Sequence, residues 1–345
     1  MLSALLAGKY KFLFSHGCGV SLDLYAVKER HRAPLAKNLR RATIKESDLA
    51  GMLFSPANFT QNLLLLKLMQ AVKMELLELL RRNDLLRSAL LIGKVQDAGF
   101  TPDPYVDILM ELAAKAWNRC SRMKQDPVLR AEAINYTLFA EFGLEPKTEK
   151  SKQIIDDPHR FYLHSVLNRK LGSPLSYVVL YSILAEQVGL SHEVIALPSY
   201  YLIKVRDAAT DFYIDPYEGG RFLTQEEFQR KFRTALQRNR MLSTSLFEKI
   251  GTSQLVARLA QQLKHVYILK GNALEALRSV EMLTAIFPDS PELTRDRGIL
   301  YCEMEYFSKA MDDLRFYLHK RPEAEDVSEI RKLTSMLKGY REIMN

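Results

Sequence analysis

Between Leu171 and Tyr217 the chain carries hydroxyl, imidazole and carboxylate groups in an order that acyl-transfer chemistry uses. Ser176 lies just inside an apolar run opened by Gly172-Ser173-Pro174, His192 follows that run, and Asp215 stands before Pro216-Tyr217. A serine near a helix N-terminus becomes nucleophilic when an imidazole takes its proton, and a carboxylate then orients the ring. Ser176, His192 and Asp215 are therefore the candidates for a Ser-dependent hydrolase or acyl-transferase. That reading requires all three within mutual reach. Asp215 has a plainer role open to it, bracing the turn at Pro216-Tyr217.

Other chemistry finds less to build on. Cys18, Cys120 and Cys302 form no C-x-x-C pair and no even-numbered framework, which fits a reducing compartment. The seven histidines show no ligand spacing, and no phosphate-binding or dinucleotide-binding glycine motif is present, so no metal and no cofactor is expected. His16-Gly17-Cys18-Gly19 reads as a turn, since no second ligand pair accompanies it. Nine of the first 45 residues are Lys or Arg against Asp23 and Glu29, a local +7 of the chain's +8. That extension makes polyanion binding an alternative role, although solvated charge is the commoner explanation and no aromatic platform accompanies it. The start of the chain makes a poor signal peptide, and charges interrupt the Leu-rich stretch from Leu63 to Leu91, so a soluble cytoplasmic protein is expected.

The elements that must hold these groups follow from periodicity. Leu65, Met69, Val72, Leu76 and Leu79 recur at spacings of four and three, which predicts a long helix from near Asn58 with one buried stripe. Further helices are predicted over Tyr105 to Arg122 and Pro127 to Phe142, the latter stopped by Gly143. A helix from His159 to Lys170 precedes a second one opening at Ser173-Pro174. Three β-like runs follow, Glu193 to Leu197, Tyr200 to Val205 and Asp211 to Ile214, and then a T-x-x-E capping pattern at Thr224 and Glu227 opens another helix.

Sliding the last hundred residues against themselves by 34 positions overlays Tyr267 on Tyr301, Ala276 on Ala310, Leu277 on Met311 and Pro288 on Pro322. Tyr in a first helix, Ala in a second and Pro after it, at this period, is the tetratricopeptide pattern. Gly271 and Gly298 are expected where paired helices approach closest. Two repeats bury too little by themselves, so the segment should lean on its neighbour and be closed by a final helix, Val327 to Ile343.

The order of helix, strand, strand and Asp-Pro resembles the transglutaminase-like cysteine enzymes. More narrowly, Gly172, Pro174 and Ser176, then Leu197 and Pro198, then Asp215, Pro216, Gly219 and Gly220 resemble the motifs of the SirB/YchA family of bacterial proteins, as does Ala133-Ile134-Asn135-Tyr136-Thr137-Leu138-Phe139. The resemblance implies a transglutaminase-like domain coupled to tetratricopeptide repeats, with a regulatory or scaffolding role. It also implies that Pro174 stands at the nucleophile position and Tyr200, or Tyr201 beside it, at the base, with Asp215 alone retained. A proline has nothing to attack with, and a tyrosine at its ordinary pKa does not accept a proton near neutrality.

The expected fold is α+β, mostly α, with a basic extension (1–45), a helical domain (46–150), a degenerate transglutaminase-like (papain-like) core with a small antiparallel sheet (151–240), and repeats with a capping helix (250–345). The expected role is non-catalytic binding of a protein partner. Tyr267 and Tyr301 on the repeat face, and Tyr200, Tyr201 and Tyr217 around the degenerate cleft, are the candidate contacts.

Overall fold

The computed structural model describes residues 56–121, 126–146, 157–197, 200–207, 211–238 and 248–344. The basic extension, Cys18 and its glycines, and Pro198 lie outside them, as does the side chain of Leu65. Helix α1 (Pro56–Arg81) turns Met69, Val72 and Leu76 into the core, as its stripe requires. Helix α2 (Leu85–Leu91) packs beside it, and α3 (Asp103–Cys120) packs on α2. Helix α4 (Pro127–Asn135) starts on Asp126, whose carboxylate accepts the Val128 N–H. It runs on into a wider π turn, Tyr136–Glu141, and stops at Gly143 in the left-handed region at φ 77°.

The predicted helix over His159 to Lys170 is shorter than expected. A single 3-10 turn, Pro158–Arg160, comes first, and α5 (Leu163–Arg169) forms only after Tyr162. Helix α6 (Pro174–Gln187) is apolar almost all round and nearly every residue is buried, which makes it the central helix of the molecule.

The sheet has five antiparallel strands in the order β4-β3-β2-β1-β5: β1 (His192–Leu197), β2 (Tyr200–Val205), β3 (Phe212–Asp215), β4 (Arg221–Leu223) and β5 (Glu248–Ile250). The last two were not anticipated; at three residues each they are too short to show alternation. β5 also carries the sheet beyond residue 240, where the core was expected to end.

The pleat divides the sheet's side chains between two faces. Val194, Ala196, Tyr201, Ile203, Val205 and Ile214 join the main core with α6. Ile195, Leu197, Leu202, Tyr213 and Leu223 form a separate small cluster with Phe228 of α7 (Gln225–Arg238). Thr224 and Glu227 cap α7 reciprocally as their spacing predicts, with the Thr224 N–H donating to Glu227 and the Glu227 N–H to Thr224.

The C-terminal helices are α8 (Thr252–Lys270), α9 (Ala273–Ile286), α10 (Pro291–Glu303), α11 (Phe307–Lys320) and α12 (Val327–Met344). They lean on the rest as expected: α8 packs on α2 and α6, and α9 on α1. Gly298 does admit a close helix pair, since a Cβ there would sit 2.9 Å from Leu314. Gly271 does not; it ends α8 at φ 74° with open space around it, so its need is conformational. One continuous apolar core runs from Met69 to Leu337.

Candidate functional site

Helix α6 begins on Ser173, whose hydroxyl accepts the Ser176 N–H, while Ser176 Oγ accepts the Ser173 N–H at 2.8 Å. Ser176 Oγ in turn donates to the Ser173 carbonyl at 3.0 Å, and the residue has no exposed surface. Its hydroxyl is spent on a capping box. Behind it, the buried Arg160 guanidinium donates to the Gly172 carbonyl from Nε at 3.0 Å and from Nη2 at 2.8 Å, and to Tyr217 Oη at 3.4 Å. Tyr177 meets Tyr217 edge-on at 5.6 Å, and burial pushes the Tyr177 phenol up to about 12. The helix start is thus plugged by Arg160 and two tyrosines.

His192 stands opposite Val205 at the far end of the β1–β2 ladder, its Nδ1 3.0 Å from the Leu190 carbonyl. Burial pulls its pKa down. Ile214 pairs with Ile203, so Asp215 lies three ladder positions and two strands from His192, a separation on the order of 14 Å. Alternation also puts His192 on the α6 face and Asp215 on the α7 face. The Ser176-His192-Asp215 arrangement is therefore not assembled, because the pleat and the register keep its members apart.

Asp215 is wholly buried and gathers partners of its own. Its Oδ1 accepts the Glu218 N–H at 3.2 Å, bracing the turn after Pro216. Its Oδ2 accepts Tyr200 Oη at 2.7 Å and Lys231 Nζ, also at 2.7 Å. Lys231 reaches Glu218 at 2.9 Å as well. Burial, then the adjoining Asp215 charge, raises the Tyr200 pKa far above that of a free phenol. Tyr200 and Asp215 are brought together, whereas Pro174 heads the helix on the opposite face.

Asn135 supports the same turn from behind. It donates to the Gly220 carbonyl at 2.7 Å, and a Cβ on Gly220 would fall 2.0 Å from Asn135 Oδ1. Gly220 is held at φ 78°. Glycine is needed there for both its conformation and its closeness to the asparagine.

The expected partner contacts need correction. Tyr267 is buried, sharing a 2.9 Å hydrogen bond with Tyr162 Oη, and Tyr301 is buried with its hydroxyl donating to Glu281 at 3.4 Å. Tyr201 and Tyr217 are buried too, and of the five only Tyr200 keeps partial exposure. The repeat tyrosines face inward because each repeat helix packs on two sides. The apolar side chains left outside include Phe287, at the end of α9, and Leu77 of α1. With Leu80, Ile286, Arg81 and Ser253 they line an open depression of about 400 Å3. Sequence reasoning missed Lys231 and Arg160. Lys231 carried a signal, since it lies three residues beyond Phe228 and so on the inner side of α7.

Cys120 and Cys302 are buried thiols in α3 and α10, and burial pushes the Cys302 thiol up to about 12. Among the described residues no group of three His, Cys, Asp or Glu could hold a metal, and no helix is long and apolar enough to cross a membrane.

Residues 103–261 match the transglutaminase-like superfamily and residues 263–334 the tetratricopeptide repeat. A UPF0162 protein of Xylella fastidiosa is 27% identical over 206 residues, covering 59% of this chain and 72% of the relative. One of Haemophilus influenzae is 25% identical over 180 residues, covering 52% and 66%. Human F-box only protein 21 is 24% identical over 181 residues, 49% of this chain but 27% of that protein. No solved structure matches significantly. The chain carries a transglutaminase-like domain followed by tetratricopeptide repeats.

Proposed function

We propose that this protein is a cytoplasmic adaptor or regulator that binds a protein partner without performing acyl transfer. Its transglutaminase-like core serves as scaffold for the repeats. The observation that carries the reading is the division of the sheet. Asp215, in the place of the family's orienting acid, and Tyr200, one of the two candidates for its base, point to the α7 face, while Tyr201, the other candidate, faces α6, whose start holds Pro174 where the nucleophile would be. That helix start is plugged as well. Ser176 is fixed in a capping box, and Arg160 and Tyr217 close over Gly172.

The binding surface is assigned to the outward apolar residues where the repeats meet α1, with Phe287 and Leu77 as its anchors. Exposed aromatic and aliphatic side chains around a depression suit the apolar anchors of a protein segment. The test is affinity capture from the native host with the full chain as bait. A specific partner is expected with wild type and with Ser176→Ala, and it should be lost with the Leu77→Asp/Phe287→Asp double variant, provided circular dichroism shows that variant folded. Capture unchanged by the double variant would refute the assigned surface.

A further inference from the structure

On the α7 face of the sheet an ammonium is already bound, and it belongs to Lys231. Around its Nζ stand Asp215 Oδ2 at 2.7 Å, Glu218 Oε2 at 2.9 Å, and the rings of Tyr200 and Phe232, whose centroids lie 5.2 and 5.6 Å away. Two carboxylates with two aromatic rings suit a primary ammonium. It has three donors to share among the oxygens, and its compact charge is drawn to the ring quadrupoles.

Two further observations bear on exchange. Asp215 is wholly buried, so withdrawal of Lys231 would leave a carboxylate without its counter-ion, and another cation compensates that charge more fully than water does. The lysine side chain keeps 27% of its surface exposed, so the pocket communicates with solvent. Helix α7, which delivers it, is attached through Phe228 and Phe232 to the small apolar cluster rather than to the main core.

We propose that Asp215, Glu218 and Tyr200 form a primary-ammonium site, occupied in cis by Lys231 and exchangeable for an external one, either a partner's lysine side chain or a free alkylamine. Asp215 and Tyr200 are the residues that the proposed function takes to stand in the places of the family's acid and base, and their use as an ammonium site rests on that reading.

Chemical rescue tests it in the full chain. Lys231→Met keeps an apolar stem against Tyr200 and Phe232 while emptying the ammonium position; Lys231→Gln is the second variant should the first not fold. Propylammonium chloride is expected to raise the melting midpoint of the variant by several degrees and that of wild type by less, because Lys231 competes for the site; a wild type that does not respond at all would refute exchange. Tetramethylammonium chloride at equal ionic strength, which cannot donate to the carboxylates, should shift neither. Adding Asp215→Asn to the variant should abolish the response. A single-lysine peptide acting below the concentration of propylammonium assigns the site to protein lysines, and the reverse order assigns it to free amines; both uphold an ammonium site. An acetyl-lysine peptide that rescues equally, a response matched by tetramethylammonium, or one surviving Asp215→Asn would overturn it.

Discussion

Asp296 of the repeats and Asp215 of the sheet are both buried carboxylates, and each holds a lysine ammonium at close range, 2.6 Å for Lys264 and 2.7 Å for Lys231. Their surroundings differ. Lys264 and Asp296 are each 3% exposed, and Arg295 completes the set by bridging Asp296 at 2.7 Å and Asp326 at 2.6 Å. Every charge there has a fixed protein partner, so the cluster locks α8, α10 and the turn before α12 into one register. Lys231 instead reaches Asp215 from a helix packed on the small apolar cluster and stays partly in solvent. Two ion pairs of similar length thus do different work. The sealed one specifies the fold, whereas the accessible one can respond to a ligand.

Mutations can break this contrast. Asp296→Ala strands Lys264 and Arg295 in the interior and should cost about 3–5 kcal/mol in urea unfolding, enough to threaten folding. A loss under 1 kcal/mol would mean the repeat cluster is not locked. Lys231→Ala should cost less, about 1–3 kcal/mol, because water can approach Asp215 once the side chain is gone. Equal losses from the two would erase the distinction. Tyr200→Phe removes one hydrogen bond to a charged acceptor, for roughly 1.5 kcal/mol, with chemical denaturation as the readout. Ser176→Ala removes a partner from the α6 capping box and should cost only about 0.5–1 kcal/mol.

A pH experiment sharpens the comparison from a third buried position. His164, ringed by Phe100, Tyr105 and Tyr162, is held down to about 4 by burial. Its folded pKa lies below the unfolded value, so its contribution to stability is full above roughly 6.5 and is lost as pH falls towards 4. The slope of unfolding free energy over that window should flatten in His164→Phe. An unchanged slope would exclude His164 as its source.

Much of this arrangement was written in the sequence where a period was long enough to read. The helix opened by Ser173-Pro174, the turn braced by Asp215 and the 34-residue repeat all follow from local chemistry. What failed is which side a residue faces. Helical periodicity groups Tyr267 with its neighbours but does not say that α8 is covered on that stripe. Tertiary packing decides it, through Tyr162. Strand parity was legible in principle. Tyr200, Leu202, Tyr213 and Asp215 share one parity across the β2–β3 pair, so the separation from α6 could have been read once the register was known. Lys231 was hidden because a lysine on a helix with a strongly polar face is ordinarily solvated, and only its spacing from Phe228 hinted otherwise.

Labelling at Ser176 decides most directly whether the transglutaminase-like core is a scaffold. Treated with a fluorophosphonate and analysed by intact mass and peptide mapping, the folded protein should keep Ser176 unmodified. A stoichiometric adduct on Ser176, absent from Ser176→Ala and from heat-unfolded protein, would contradict the scaffold reading.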